Sequence, residues 1–266
     1  IVRLLDKTGN VVFLPFDLTV PFARICARSG HMRLKRFDIA DVYRENLLAG
    51  GQPRAVLAAS YDIISQEPDP SAEAEVLALM YELLQMPGLA GEAWNVELSH
   101  ESILRVFLQR FPAQFHSALL EALPQYLARG SDARVRHLLG SAGMPVSLLD
   151  EVDAWNIYED FDTAVHTLAE LLTPEERTKL AEPLAHLVSV VRLAREFSVQ
   201  SKIYLVPLFS HSHTHYRNGT MMAVSKMSSG GKHRDVLAVG GRYDELLRRF
   251  SYPGIGSWPA PRRGGG

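Results

Sequence analysis

The 266-residue chain has one cysteine, Cys26, so no disulfide can form within it. It has no apolar run of the roughly 18 residues that a membrane helix requires. No charged-then-apolar leader of the secretory type opens it. These absences lead to the expectation of a soluble, cytoplasmic protein with no membrane contact, kept in a reducing compartment. Disorder is excluded as a description of the whole chain, because 47% of the residues are hydrophobic and 22% are charged. Positive charge is missing from two long stretches: residues 66–104 and residues 151–176 each hold eight acidic residues and no Lys or Arg. Protein-kinase signatures are missing too, since no glycine-rich nucleotide loop, H-R-D or D-F-G motif occurs.

The basic residues are correspondingly concentrated. Residues 24–54 carry seven basic side chains against three acidic ones, and residues 226–263 carry eight against three. A formal net charge of −2 therefore hides two positive segments. Such segments either converge on a polyanion or form solvated faces that have no partner.

The hydropathy pattern predicts an α+β fold. A hairpin is expected over residues 2–5 and 11–14, then a helix from Pro21 to Arg28. Two strands follow, residues 36–43 and 56–64, joined by a loop with two glycines and a proline. Asp69-Pro70 opens a further helix. Residues 99–200 read as helical throughout, with helices over 102–111, 114–127, 132–139, 146–153, 160–172 and 174–197. Strands return at 203–209, 220–224 and 236–239. The domain reading is a core in two parts, residues 1–98 and 201–250, split by a helical insertion over 99–200, with 251–266 as a flexible loop or linker. Short connections favour a mostly antiparallel sheet flanked by helices.

Asp17 and Thr19 lie two apart. On an extended segment they would share one face and could hold an ammonium group; an Asp and a Thr beside a proline are more often a helix-entry cap. His211, His213 and His215 alternate, which permits metal binding in geometry, but three imidazoles on one strand with no nearby Cys leave the tetrahedron open. No metal or other cofactor is expected. Gly240-Gly241 could belong to a nucleotide loop or mark a close backbone approach.

The runs 17–24 (Asp-Leu-Thr-Val-Pro-Phe-Ala-Arg), 34–36 (Leu-Lys-Arg), 42–44 (Val-Tyr-Arg), 61–63 (Tyr-Asp-Ile) and 240–244 (Gly-Gly-Arg-Tyr-Asp) stand in one order. In that order and spacing the sequence resembles the histidyl-tRNA synthetases, a class II aminoacyl-tRNA synthetase family. The resemblance implies a class II antiparallel core, with Arg44 in the place of the arginine that meets the ATP α-phosphate. It also implies departures. Pro15 replaces an arginine, Glu45 follows Arg44 directly, and Ala58, Ala59 and Ser60 stand where polar residues contact the amino acid. His211-Ser212-His213-Thr214-His215-Tyr216 replaces Arg-Gly-Leu-Asp-Tyr-Tyr, and Met222-Ala223 stands near a family glutamate. Each lost donor costs about 3 to 4 kcal/mol of transition-state stabilisation, so several together remove useful catalysis.

Within the family, the chain looks like the inactive synthetase-like domains attached to stress-responsive protein kinases of translational control. That resemblance implies uncharged tRNA, a second copy of the chain and an attached or neighbouring kinase domain as partners. It puts tRNA against Tyr43, Arg44 and Arg54, with Arg24, Arg28, Lys35 and Arg36 extending the positive strip; Tyr43 would stack on a base or pack as a strand residue. The vestigial substrate pocket would consist of Asp17, Thr19, Ala58, Ser60, Tyr216, Gly240, Gly241, Arg242 and Tyr243. The alternatives are a divergent active synthetase, a biosynthetic paralogue, or a dimerising protein–protein module that binds no tRNA.

Overall fold

Asp6 sets the first turn: its carboxylate accepts the backbone N–H of Thr8 and of Asn10, each at 2.8 Å, while Gly9 takes a φ of +84°. Hydrogen bonds from Thr8 and Asn10 hold the Asp6 carboxyl at a pKa of about 2. In this computed structural model, which describes residues 2–29, 33–45, 52–65, 69–90, 94–129, 132–210, 214–227 and 234–251, the turn joins β1 (Arg3–Leu5) to β2 (Val11–Phe13) as an antiparallel pair.

Helix α1 (Thr19–Ser29) begins two residues before the expected Pro21. The cause is Asp17, whose side chain accepts the Val20 N–H at 2.9 Å and so caps the first turn. Phe22, Ala23, Cys26 and Ala27 form its buried face. Replacing Asp17 by Ala is expected to lower unfolding free energy by about 1 kcal/mol, and Asn to restore most of it. Urea denaturation of the two variants measures this.

Strands β3 (Leu34–Arg44) and β4 (Arg54–Ile64) pair antiparallel over eleven rungs, from Leu34↔Ile64 to Arg44↔Arg54. The ladder thus takes in Arg44 and Arg54, which the sequence placed just beyond the strands. The Tyr43 N–H donates to the Pro15 carbonyl at 2.8 Å, fixing residues 14–17 along the end of β3.

Helix α2 (Pro70–Leu84) starts where expected, with Asp69 as cap and proline in the first turn. After it comes β5 (Asn95–His100), a strand not expected from the sequence, and then α3 (Glu101–Gln109), a single 3-10 turn at Ala113–Phe115, α4 (His116–Arg129), α5 (Asp132–Ser141) and α6 (Val146–Ala154). A two-residue strand, β6 (Glu159–Asp160), precedes α7 (Phe161–Leu171) and α8 (Pro174–Glu196). Thr173 and Glu176 form a reciprocal capping box at the start of α8. The chain then runs through β7 (Ile203–Leu205), β8 (Thr220–Met227), β9 (Arg234–Gly241) and α9 (Asp244–Phe250).

Two compact units result, one of Ile1–Pro68 with Glu245–Gly266 and one of Asp69–Asp244. The expected division after residue 98 falls inside β5, and the helices expected as an insertion lie in one unit with the five-stranded sheet. That sheet has the order β6-β7-β5-β8-β9 and is antiparallel throughout except for the β5–β7 pair. One of its faces carries Val96, Leu98, Leu205 and Met222 into the main core, where they join Leu77 of α2, Ile103 and Phe107 of α3 and Leu187 and Val190 of α8. Among the described residues no helix is long and apolar enough to cross a membrane.

Candidate functional site

The residues singled out from the sequence fall into two sets, one in each unit. In the first unit the alternation of β3 and β4 sorts them by face. Lys35 and Tyr43 share one face with Phe37, Ile39 and Leu57, while Arg36, Arg44, Arg54, Ala58 and Ser60 share the other with Asp38 and Asp62. The basic residues of the hairpin therefore do not form one strip.

Arg36 is spent on its own chain. Its guanidinium lies 3.1 Å from buried Asp62 and 3.2 Å from Asp38, donates to the Ser60 hydroxyl at 3.4 Å and covers the Phe22 ring at 3.7 Å. Of the readings open for Arg36, a phosphate contact or a structural pairing, these two carboxylates favour the second, since they neutralise its charge locally. Burial raises the pKa of the adjacent Cys26 thiol, and the charge of Asp62 adds to the rise while Arg36 opposes it.

Arg44 sits at the open end of the hairpin. It donates to the Phe16 carbonyl and, at 3.3 Å, to the Tyr43 carbonyl, with its guanidinium carbon 3.9 Å from the Phe16 ring centre. Arg54 is its exposed cross-strand partner. Arg24 and Arg28 lie exposed one turn apart on α1, Arg24 over the Phe250 ring at 5.1 Å. Asp17 and Thr19 do not share an extended face, because Thr19 is already helical and Asp17 caps it. The helix-start alternative is the one realised, and the ammonium site suggested by their spacing is not.

In the second unit Tyr216, Gly241 and Arg242 come together. A Cβ at Gly241 would lie 2.4 Å from the Thr220 carbonyl oxygen and 2.9 Å from two ring carbons of Tyr216, so only glycine fits beneath that ring. Tyr216 is 5% exposed and packs with Val206, Phe209, Met221 and Ala223, flanked by Tyr158, Tyr204 and Tyr243. Gly240 does not belong to this cluster. It points to the opposite face, towards Met80 and Met222, as strand alternation requires. Arg242 pairs with Asp244 at 2.8 Å; burial disfavours its charge, but this bond and the nearby carboxylates carry its pKa above the ordinary value.

Glu97 on β5 was missed from the sequence. It is 2% exposed and accepts hydrogen bonds from the Tyr158 hydroxyl at 3.2 Å and from the Ser225 hydroxyl. It lies directly across from Ala223 and so on the Tyr216 face. The alternation of Asn95, Glu97 and Ser99 with Val96 and Leu98 was the signal available for it. His211 and His213 lie outside the described residues, and His215 lies in a turn rather than a strand. Among the described residues no group of three His, Cys, Asp or Glu side chains is placed to hold a metal ion.

The family model described as Histidyl-tRNA synthetase matches residues 1–257. The eIF-2-alpha kinase GCN2 of Schizosaccharomyces pombe is 27% identical over 257 residues, covering 95% of this chain and 16% of that protein. An ATP phosphoribosyltransferase regulatory subunit of Geobacillus thermodenitrificans is 27% identical over 259 residues, covering 94% of this chain and 61% of its own length. Among solved structures, an ATP phosphoribosyltransferase regulatory subunit/histidyl-tRNA synthetase from Bacillus halodurans superposes with a TM-score of 0.72 at 21% identity, over 93% of this chain and 62% of that one. The chain thus spans about a sixth of the kinase it matches and shares the class II synthetase fold.

Proposed function

Because the chain belongs to the histidyl-tRNA synthetase family, we propose that it is a synthetase-shaped regulatory domain without synthetase chemistry, which binds uncharged tRNA, dimerises and controls an attached kinase in the cytoplasm. The similarity of nearly the whole chain to eIF-2-alpha kinases named GCN2 carries this reading. The geometry supports the loss of chemistry. Ala58 offers no polar group on the face of the hairpin that holds Arg44. In the second unit the chain's own Tyr216 ring lies against Gly241. Electrostatics supports an anionic partner for Arg44 and Arg54, which share one face of the hairpin, and for Arg24 and Arg28, exposed on α1; Lys35 and Tyr43 lie on the other face of the hairpin, where Tyr43 would serve as a separate base-stacking surface, and Arg36 is left out, since Asp38 and Asp62 already hold it.

Titration with uncharged tRNA across a salt series tests the reading. Binding is expected to weaken linearly on a log–log plot, and Arg44→Ala and Arg54→Ala are each expected to reduce the slope by about 0.7 to 0.9. Absence of any tRNA shift at low salt sinks the proposal. The match to the Geobacillus regulatory subunit over 61% of its length favours a biosynthetic paralogue as the second reading. Histidine-dependent exchange of pyrophosphate into ATP, abolished by Arg44→Ala, would instead establish a surviving synthetase.

A further inference from the structure

Two features of the hairpin end go unused if Arg44 is simply a positive charge. The first is cross-strand register: Arg44 and Arg54 face each other on the last rung of β3–β4. Like charges directly opposite one another destabilise a ladder unless an anion lies between them. The second is how Arg44 is held. Its Nη1 is committed to the carbonyls of Phe16 and Tyr43, and one side of its plane is covered by the Phe16 ring at 3.9 Å. Phe16 is itself tethered, because the preceding residue, Pro15, accepts the Tyr43 N–H at 2.8 Å and the following one, Asp17, caps α1.

We propose that Phe16 is a positioning residue: it locks the Arg44 guanidinium so that its Nε–Nη2 edge is presented, opposite Arg54, to a phosphate group of the bound polyanion. An unrestrained arginine loses rotamer freedom whenever it binds. One already stacked and hydrogen-bonded at Nη1 has lost that freedom beforehand and offers a planar fork matched to two phosphate oxygens. The ring also removes water from one face of the cation, which strengthens its remaining hydrogen bonds. Lysine could not replace arginine here, since a point charge neither stacks nor forks.

This inference rests on the assignment of Arg44 as a phosphate contact, and the experiment separates the two. Fluorescently labelled uncharged tRNA is titrated into the full 266-residue chain and into Phe16→Ala, Phe16→Tyr, Arg44→Ala and the Phe16→Ala/Arg44→Ala double variant, at several salt concentrations. Arg44→Ala is expected to weaken binding by about tenfold or more. Phe16→Ala should weaken it about fourfold, Phe16→Tyr should restore it, and Phe16→Ala should add nothing once Arg44 is gone. A loss with Phe16→Ala that persists in the Arg44→Ala background, or no loss at all while Arg44→Ala is weak, overturns the positioning role alone. A silent Arg44→Ala in a chain that still binds tRNA overturns both. A second measurement needs no tRNA: the NMR order parameter of the Arg44 Nε–H should be high in the parent and fall below about 0.6 in Phe16→Ala. An unchanged value in Phe16→Ala overturns the proposal.

Discussion

Replacement of Trp155 by Ala is expected to lower the unfolding free energy by about 4 kcal/mol, the largest effect of any single substitution considered for this chain. Trp155 has zero exposure and follows directly on α6, with its ring 5.3 Å from that of Phe107, which in turn sits 4.8 Å from Phe111. Its indole N–H donates to Glu151 at 3.2 Å, and the same carboxylate is paired with Arg110. Arg110 lies over the Trp155 ring at 5.0 Å, donates to the Leu171 carbonyl at 2.7 Å and pairs with Glu176. Removing the indole therefore opens a cavity bordered by α3 and α6 and takes one wall from a partly buried cation that joins four helices. Trp155→Phe keeps most of the volume and should cost far less. Chemical denaturation of both variants reads the difference; a loss under about 1.5 kcal/mol for Trp155→Ala would mean that the site collapses around the gap.

Acid should weaken the fold through His100 before most carboxylates titrate. This imidazole ends β5 and caps α3, its Nδ1 accepting the Ser102 N–H at 3.2 Å, a role only the unprotonated nitrogen can fill. Burial, followed by the charges of His186, Arg105 and Arg242, pushes its pKa down from 6.5 to about 3. The sign follows from linkage. As pH falls through 6.5 the unfolded chain takes up a proton that the folded chain refuses, so stability is present above 6.5 and declines below it until the folded group titrates near 3. Between pH 6.5 and about pH 4.5 the decline is expected to reach about 2 kcal/mol. His100→Asn keeps a capping acceptor and removes the proton site, so its stability should be flatter over that interval. Equal acid slopes for parent and variant, measured by urea denaturation at each pH, would exclude His100 as the source.

The effects at Trp155 and His100 lie at different distances from what the sequence discloses. The starts of α2 and α8 were legible because Asp69-Pro70 and Pro174-Glu175 are local chemistry, whereas the Thr173–Glu176 capping box at α8 came from the structure. The strands of the β3–β4 hairpin were legible from two strand-like runs joined by a loop of two glycines and a proline. β5 was not, because Asn95, Glu97 and Ser99 read as polar, and Glu97 finds its partners at Tyr158 and Ser225, distant in sequence. Whether Arg36 faced a phosphate or a carboxylate stayed open in the sequence, because Asp62, twenty-six residues on, could not be seen to lie beside it. Phe16 was passed over because an aromatic next to a proline carries no signal until Arg44 is laid across it.

By itself, then, the sequence determined the family resemblance, the start of α2, the strands of the β3–β4 hairpin and the loss of polar groups at Ala58 and around Met222-Ala223, since each depends on residue type and short spacing. The tertiary structure alone decided which charges face a ligand and which face one another. It neutralised Arg36, set Arg44 against Arg54 and laid the Tyr216 ring against Gly241. The outcomes at Arg36 and Arg44 depend on the register of β3 against β4, and a change of one residue in that register would undo both.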